Sequence, residues 1–456
     1  MAIDFARLEE FVLDKMAQTK LSAVSLAIVE GDQIIYQRGF GQRDLEKGLP
    51  ATPATLYGIG SVTKSFTCLA IMQLQERGLL HVDDPVERYL PLTVRPMGEQ
   101  VRIRHLMSHS SGLPGLAYLE SLLRYKHGAT DSYYPVGNLD DMLTFLNGAG
   151  EWAYAKPGER WFYLNEGYVL LGGIIEKLSG KPYATYIEEE ILGPLGMDRT
   201  TFDGARFHAD GDAAVPYAVD SDGRHLSRDY VWGQAQADGG MVSNTLDMAR
   251  YISMYLDGGK GIVSPQSLAA MMTPQVPNPQ LDVNTNEPVS GYGFGLSESD
   301  FYGRRLIGHS GMMYVCTAAM QFLPDQKLGA IVLANGTGYP MAQFASFALA
   351  TALGEDPWAM LALSTEKTVS GLTGAYETYK GTYNCRIKRQ GDFLMLALKN
   401  KHQDLVTPLV PLDLSNPANP RFYTLAGGRK MAVDFHCENG QVDLIYERYR
   451  FRRTGK

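Results

Sequence analysis

Cysteine is scarce in this sequence, and the few that occur are scattered. The chain of 456 residues contains four, Cys68, Cys316, Cys385 and Cys437, and no two of them stand three residues apart. This spacing predicts neither a disulfide framework nor a zinc site. A reduced, cytoplasmic environment is the simplest expectation for such a chain.

Long apolar runs and basic runs are absent as well. No stretch of eighteen apolar residues occurs, so we expect no transmembrane helix and no membrane partner. The net charge is −8 and no basic run is available to neutralise phosphates, which argues against nucleic acid as a partner. The first ten residues contain no apolar segment typical of a signal peptide and predict the start of an amphipathic helix.

Hydrophobic periodicity predicts the elements of the first half of the chain. Apolar positions at helical spacing indicate a helix over residues 4–18. Two β-rich runs, 23–29 and 34–40, with Gly31 between them, predict a hairpin. A helix that begins after residue 60 is apolar on most sides, so we expect it to be buried in the middle of the protein.

Strand patterns return late in the chain, after a region dominated by helices and loops. Residues 306–308, 314–322 and 328–333 predict strands, and 341–353 predicts an apolar helix. Strands at both ends imply an α+β fold whose sheet is completed by distant parts of the chain, with a helical insertion between them. A cleft is expected where sheet and insertion meet.

The composition changes after Trp358. From about Gly371 the sequence alternates apolar and polar residues, with turn signals between short runs, a pattern typical of an all-β domain. The predicted strands are 381–383, 393–396, 421–425, 431–435 and 442–446. We therefore predict two domains, residues 1–360 and 361–456.

The sequence Ser-Val-Thr-Lys at 61–64 places a serine and a lysine one helical turn apart. Ser61 stands at the predicted start of the apolar helix, where free backbone N–H groups can receive an oxyanion. Serine is a weak nucleophile without a base, and a buried Lys64 can supply one. The alternative is a helix-capping serine beside a snorkelling lysine, and the chain repeats this spacing at Ser364 and Lys367.

Tyr163 and Asn165 are separated by one residue, so in an extended or irregular segment both side chains point the same way. A phenol near Lys64 can carry a proton to a leaving group. The amide of Asn165 offers a donor and an acceptor, and it can hold the lysine and a substrate amide together. The alternative is a core tyrosine followed by an Asx turn.

His309-Ser310-Gly311 lies within a predicted strand. Gly311 would allow a substrate backbone to come close, and the N–H of the next residue, Met312, could complete an oxyanion hole opposite that of Ser61. His309 could bind a substrate carboxylate or tune the other polar groups of the site. The alternative is a strand histidine with satisfied hydrogen bonds.

Metal and cofactor sites have little support in the sequence. His105 and His109 are four residues apart, but no third ligand stands near them and no glutamate follows His105 as in a metalloprotease helix. There is also no phosphate-binding loop. We expect no metal and no cofactor, and we expect Cys68, one turn beyond Lys64, to pack in the core.

In their order and spacing, the three motifs resemble those of the serine β-lactamase-like hydrolases, in particular the class C β-lactamase, D-alanyl carboxypeptidase and penicillin-binding-protein branch. The resemblance runs from about residue 5 to residue 355. Further stretches similar to that branch are 103–113, 157–159, 168–180, 191–197 and 239–243. Residues 371–456 resemble the lipocalin-like barrel of archaeal-type serine peptidases in this branch.

The resemblance implies a β-lactamase/transpeptidase-like fold, with an antiparallel sheet flanked by helices and an all-helical subdomain, followed by a small all-β barrel. It also implies a role for each site residue. Ser61 would be the nucleophile and Lys64 the base. Tyr163 would relay the proton, Asn165 would position the substrate, and the backbone N–H groups of Ser61 and Met312 would form the oxyanion hole.

Many β-lactamases have lysine where His309 stands, and this departure favours peptidase or esterase activity. We expect a serine hydrolase that forms an acyl-enzyme with small peptides, including peptides that contain D-residues. A carboxylesterase with the same machinery is the alternative, and a β-lactamase or a non-catalytic penicillin-binding or sensor protein is less favoured. The resemblance also implies a homo-oligomer.

Overall fold

The computed structural model describes residues 3–233, 236–278, 291–391, 393–399 and 404–455. The chain divides into two compact units, Met1–Pro357 and Trp358–Lys456, which we call the N-terminal unit and the C-terminal unit. Each has its own hydrophobic core.

The N-terminal unit combines short strands with helices of at most four turns. Its strands are β1 Ala23–Glu30, β2 Gln33–Asp44, β3 Leu49–Pro50, β4 Tyr57–Gly58, β5 Tyr217–Val219, β6 His225–Ser227, β7 Val242–Ser243, β8 Gly291–Tyr292, β9 Ser297–Phe301, β10 Arg304–Met312, β11 Thr317–Leu323 and β12 Leu328–Ala334. Its helices are α1 Ala6–Thr19, α2 Thr63–Glu76, α3 Ile103–Met107, α4 Tyr118–Lys126, α5 Leu139–Asn147, α6 Asn165–Ser179, α7 Tyr183–Ile187, α8 Gly193–Leu195, α9 Gly204–Ala209, α10 Thr245–Leu256, α11 Pro265–Met272 and α12 Met341–Leu353. Over the described ranges, no helix is both long and apolar enough to cross a membrane.

The main sheet is antiparallel and has the strand order β3-β2-β1-β12-β11-β10-β9-β8. Strand β1, near the start of the chain, pairs with β12, so that Leu26 stands opposite Val332. This pairing confirms the prediction of a sheet completed by distant parts of the chain. Helices α3 to α8 form the predicted helical insertion between the two groups of strands.

Strand β12 is buried along its whole length because helices cover both of its faces. On one face, Gly329 lies against Ile252 of α10. On the other face, Gln321 of the neighbouring β11 accepts a hydrogen bond from Ser346 of α12. A strand covered on both sides is apolar without alternation, which explains the uninterrupted apolar run in this part of the sequence.

Helix α2 runs through the core of the N-terminal unit, as the sequence predicts. Every residue from Thr63 to Leu74 is buried, Lys64 included. The helix is preceded by a single 3₁₀ turn, Gly60–Val62, which contains Ser61. The serine therefore lies at the N-terminal end of a buried helix, and the lysine lies inside it.

The predicted strand 314–322 is wrong at its beginning. Strand β10 ends at Met312 and β11 begins only at Thr317. Tyr314 between them has φ +54°, a left-handed conformation that a strand cannot contain. Residues 313–316 therefore form the turn between the two strands.

The C-terminal unit is a closed barrel of eight antiparallel strands, preceded by helix α13 Leu361–Gly371. Closure comes from the pairing of the first strand with the last, and it confirms the predicted barrel fold. Its core contains Leu396, Phe422, Phe435, Leu444 and Phe451. The strands are β13 Gly374–Glu377, β14 Asn384–Gln390, β15 Phe393–Lys399, β16 Asp404–Asp413, β17 Arg421–Ala426, β18 Arg429–Glu438, β19 Gln441–Tyr446 and β20 Tyr449–Gly455.

One predicted strand of this barrel, residues 381–383, is wrong. Residues Tyr379–Gly381 form a 3₁₀ turn, in which Lys380 has φ +58°. The strand begins one residue after the predicted run, at Asn384. Backbone in the left-handed region cannot continue a β-ladder, whatever the β-propensity of the neighbouring threonine and tyrosine.

Candidate active site

Ser61 and Lys64 lie within hydrogen-bonding distance of each other at the start of α2. The Nζ atom of Lys64 is 3.0 Å from the Oγ atom of Ser61. Lys64 is fully buried, whereas Ser61 is partly exposed and lines a cleft. The one-turn spacing in the sequence thus places an apolar environment around the amine and leaves the hydroxyl accessible.

Two further oxygen atoms surround the amine of Lys64. Its Nζ donates to Asn165 Oδ1 at 2.8 Å and to the backbone carbonyl of Asp238. The other end of the Asn165 amide, Nδ2, donates to Glu120 Oε1 at 3.1 Å. Because a carboxylate accepts and does not donate, this contact fixes the orientation of the amide with its oxygen toward Lys64.

Tyr163 also lies next to the amine of Lys64. The centre of its ring is 4.9 Å from Lys64 Nζ, and the side chain is half-buried at the cleft. Tyr163 precedes α6 and Asn165 opens that helix. Leu164 between them has an extended backbone, with φ −132° and ψ 100°. The two side chains therefore converge on one lysine from the extended residues that lead into the helix.

Strand β10 brings its backbone directly against the turn that contains Ser61. A Cβ atom placed on Gly311 would stand 1.9 Å from Ile59 O and 3.0 Å from Ser61 N. A Cβ atom on Gly60, whose φ is +52°, would stand 2.6 Å from Met312 N. Only glycine allows this approach, which brings the backbone of Gly311 and Met312 against that of Gly60 and Ser61.

His309 is buried in β10, and both of its ring nitrogens have partners. Nδ1 donates to the carbonyl of Ser310 at 2.6 Å, so Nε2 accepts from the hydroxyl of Tyr292 at 2.9 Å. Burial, together with the nearby charge of Lys64, lowers the pKa of His309 to about 3. A neutral ring without a free donor does not favour the hypothesis that His309 binds a substrate carboxylate.

The cleft has a volume of about 1050 Å³. Every residue that the sequence analysis selected for the site lines it except Lys64, which lies buried beneath Ser61. Additional walls come from α4 and from the turn after β10. The lining includes Ser61, Leu119, Glu120, Leu123, Arg124, Trp161, Tyr163, Asn165, Tyr292, His309, Ser310, Gly311, Met312 and Tyr314.

Two acidic residues were not predicted as part of the site: Asp238, whose carbonyl contacts Lys64, and Glu166, which directly follows Asn165. The Asp238 carboxylate is buried and accepts a hydrogen bond from the Tyr118 hydroxyl at 2.7 Å, and burial raises its pKa. Burial also raises the pKa of Glu166 to about 7. The only signal in the sequence was the family-like stretch 239–243, which follows Asp238 directly.

The two histidines considered as metal ligands have separate surroundings. Nδ1 of His105 accepts the N–H of Arg102, and Nδ1 of His109 accepts the N–H of Leu164. Within the described residues, no group of three or more His, Cys, Asp or Glu side chains is placed to hold a metal ion. Cys68 is buried in the core, where desolvation raises its pKa to about 12.

Comparison with known proteins gives two family matches and several solved structures that span both units. A model described as Beta-lactamase matches residues 8–353, and a model described as Pab87 octamerisation domain matches residues 357–452. The octameric penicillin-binding protein homologue from Pyrococcus abyssi is 40% identical with a TM-score of 0.94, and the match covers 99% of this chain and 100% of that chain.

Two other proteins are more distant. Protein flp from Staphylococcus aureus strain MW2 is 28% identical over 69% of this chain and 60% of its own length. A D-stereospecific amidohydrolase from a Streptomyces species is 24% identical with a TM-score of 0.64, over 77% of this chain and 100% of that chain, which shows the fold alone. The chain spans less than two thirds of the length of the curated relatives it matches first. From the family match and the full-length structural match, the chain belongs to the β-lactamase family.

Proposed function

We propose that this protein is a serine hydrolase in which Ser61 attacks a carbonyl group and Lys64 takes the proton of the hydroxyl. The observation that carries this proposal is the set of three contacts around Lys64 Nζ. Two of the partners, Asn165 Oδ1 and the Asp238 carbonyl, can only accept hydrogen bonds. The third, the hydroxyl of Ser61, can donate or accept.

A neutral amine has two N–H groups and one lone pair. When Lys64 acts as the base, its two N–H groups would satisfy the Asn165 and Asp238 oxygens and its lone pair would face the hydroxyl of Ser61. This is the arrangement that a general base needs before it accepts a proton. The adjacent amides of Ser61 and Met312 would receive the oxyanion that forms on the attacked carbonyl.

Breakdown of the tetrahedral intermediate requires a proton for the leaving group. Tyr163 is the best-placed donor, because its ring lies next to Lys64 and its side chain lines the cleft. It would pass the proton from Lys64 to the departing amine and later activate the water that resolves the acyl-enzyme. Asn165 would hold the lysine and position the substrate.

We propose small peptides, including peptides with D-residues, as the substrates. The cleft of about 1050 Å³ is at the upper end of the usual range for small-molecule sites and can hold several residues. The neutral His309 stands where many β-lactamases have lysine, which favours peptides over β-lactam antibiotics. The fold shared with a D-stereospecific amidohydrolase supports the inclusion of D-residues.

We further propose that residues 1–360 form the hydrolase domain and that residues 361–456 assemble the chain into a homo-oligomer, with eight subunits as the expected number. The octamerisation-domain match and the octameric relative support this assembly. Size-exclusion chromatography with light scattering tests it, and a monomer at micromolar concentration would contradict it. The cytoplasmic location stays a prediction.

Covalent labelling tests the proposed chemistry. Incubation with a fluorophosphonate or a penicillin, followed by peptide mass spectrometry, should place an adduct on Ser61, and the Ser61→Ala variant should give none. Ser364→Ala is the matched control, because this serine also precedes a lysine by three residues. A wild-type protein that folds and gives no adduct on Ser61 with either reagent would refute the proposal. Hydrolysis of esters together with no detectable hydrolysis of any peptide amide would favour the esterase alternative.

A further inference from the structure

The segment that carries Tyr163 is held on both sides by one buried histidine, His109. The carbonyl oxygen of His109 accepts the N–H of Phe162 at 2.7 Å. Its ring atom Nδ1 accepts the N–H of Leu164 at 3.0 Å. The residues immediately before and after Tyr163 are therefore bonded to the same histidine.

The ring of His109 also packs on the ring of Tyr163. The two ring centres are 4.1 Å apart and the planes are inclined by 33°. His109 is fully buried and has φ +56°, a left-handed conformation that turns its ring and its carbonyl group toward the same segment. A side chain held in this uncommon backbone conformation at a functional site indicates a specific role.

The hydrogen bond to Leu164 requires an unprotonated Nδ1, so the ring must be neutral. Burial, with Lys64 and His309 nearby, keeps the pKa of His109 well below its usual range. Nε2 then carries the proton, and it has no hydrogen-bond partner within the described residues. The ring contributes an acceptor and a packing surface. Because it is fully buried and is not among the residues that line the cleft, it does not contact a substrate there.

We propose that His109 is a positioning residue that holds the Tyr163 phenol in place for proton transfer to the leaving group. This inference rests on the proposed function, because it assigns His109 an effect only through Tyr163. An amide needs a protonated leaving group, whereas p-nitrophenolate leaves without one. Loss of positioning should therefore slow amide hydrolysis much more than hydrolysis of a p-nitrophenyl ester.

Two variants separate the contributions of the ring and the acceptor. His109→Phe keeps a ring and removes the acceptor for Leu164 N–H. His109→Asn keeps an acceptor at the δ position and tolerates a positive φ. For His109→Phe we expect kcat on a peptide amide to fall at least ~10-fold with KM within ~2-fold, and kcat on the ester to fall less than ~3-fold. His109→Asn should recover most of the amide activity.

The matched control is His105→Phe. The Nδ1 atom of His105 also accepts a backbone N–H, that of Arg102, the residue directly before α3. This variant should leave both activities unchanged. A double-mutant cycle completes the test: in the Tyr163→Phe background, His109→Phe should change amide kcat by less than ~2-fold.

Equal losses on amide and ester, or independent effects in the cycle, would overturn the positioning role. Should His109→Phe fail to fold, His109→Leu takes its place, because leucine also removes the acceptor for the N–H of Leu164: its loss must be confined to the amide, and His109→Asn must restore the activity. Full amide activity in Tyr163→Phe would contradict the proposed function itself. A large loss in Tyr163→Phe with none in folded His109→Phe would refute only the role of His109.

Discussion

The chain has two places where a lysine follows a serine by three residues, and their surroundings differ completely. Lys64 is fully buried and its amine contacts three oxygen atoms, whereas Lys367 is exposed on α13. Ser61 stands in the turn before its helix, while Ser364 lies inside α13 and donates to the carbonyl of Leu361. The three-residue spacing places both serine and lysine side chains one helical turn apart. Only at Ser61 and Lys64 is the lysine also buried and bonded to the Asn165 and Asp238 oxygens, which makes this pair the candidate catalytic one.

The largest difference between the two pairs should appear when the serines are removed. Ser61→Ala should reduce peptide turnover at least ~1000-fold, because no other hydroxyl occupies the position of the nucleophile. Ser364→Ala should leave turnover unchanged. Steady-state assays with one peptide amide measure both, and residual activity above one tenth in folded Ser61→Ala would contradict the assignment.

Replacement of the lysines should give the next largest contrast. Lys64→Met removes the proposed base and should lower kcat ~10²- to 10⁴-fold, the usual contribution of a positioned proton-transfer group. Lys367→Met should have no effect on kcat. Thermal melts of both variants distinguish loss of the base from loss of the fold. Equal kcat values in the two folded variants would contradict the assignment of Lys64 as the base.

A smaller effect is expected at the phenol. Tyr163→Phe should lower amide hydrolysis ~10²-fold and ester hydrolysis much less, because only the amide needs its leaving group protonated. Tyr154→Phe, a change to an exposed tyrosine nine residues earlier, is the control. The ratio of amide to ester kcat is the measurement, and a ratio unchanged by Tyr163→Phe would exclude the relay.

A buried acidic side chain, Glu166, directly follows Asn165, a hydrogen-bond partner of Lys64, whereas Lys367 is exposed. Burial raises the pKa of Glu166 from 4.5 to about 7, so the folded protein holds this proton more tightly than the unfolded chain does. Glu166 should therefore destabilise the fold progressively as pH rises from about 4.5 to about 7, by up to ~3 kcal/mol above that range.

Glu166→Gln should accordingly raise the melting temperature at pH 8 and leave it nearly unchanged at pH 4. Glutamine keeps an oxygen that can accept the N–H of Tyr118. Glu159→Gln is the control, because this exposed carboxylate also accepts a backbone N–H, that of Lys156. A melting-temperature difference for Glu166→Gln that does not depend on pH would show that the carboxyl group is not held neutral by burial.

Local sequence was enough to predict the elements that carry the site. The apolar run after residue 60 predicted the buried helix α2, and the strand pattern around His309 predicted β10. Runs of apolar residues report burial, and both elements are largely buried: α2 from Thr63 to Leu74 and β10 over most of its length. The predicted segments at 314–316 and 381–383 failed because the backbone has positive φ at Tyr314 (+54°) and Gly381 (+68°), which interrupts a strand whatever the β-propensity of the neighbouring residues.

The partners of Lys64 could not be predicted in the same way. Asn165 is 101 positions away and was found through its neighbour Tyr163. Asp238 is 174 positions away and contributes a backbone carbonyl, which any residue type could supply. His109 was considered only as a metal ligand, because the sequence shows its four-residue spacing from His105. The sequence does not show its hydrogen bonds to the segment around Tyr163.

Redesign of this cleft for other substrates is limited at two positions. Any side chain at Gly60 or Gly311 would collide with the opposite backbone and push the two amides of the candidate oxyanion hole apart. Mutant libraries that include these positions would consist largely of inactive proteins. Leu119, Leu123 and Tyr314 line the same cleft, and variation there can change the shape available to a substrate without disturbing the paired backbone N–H groups.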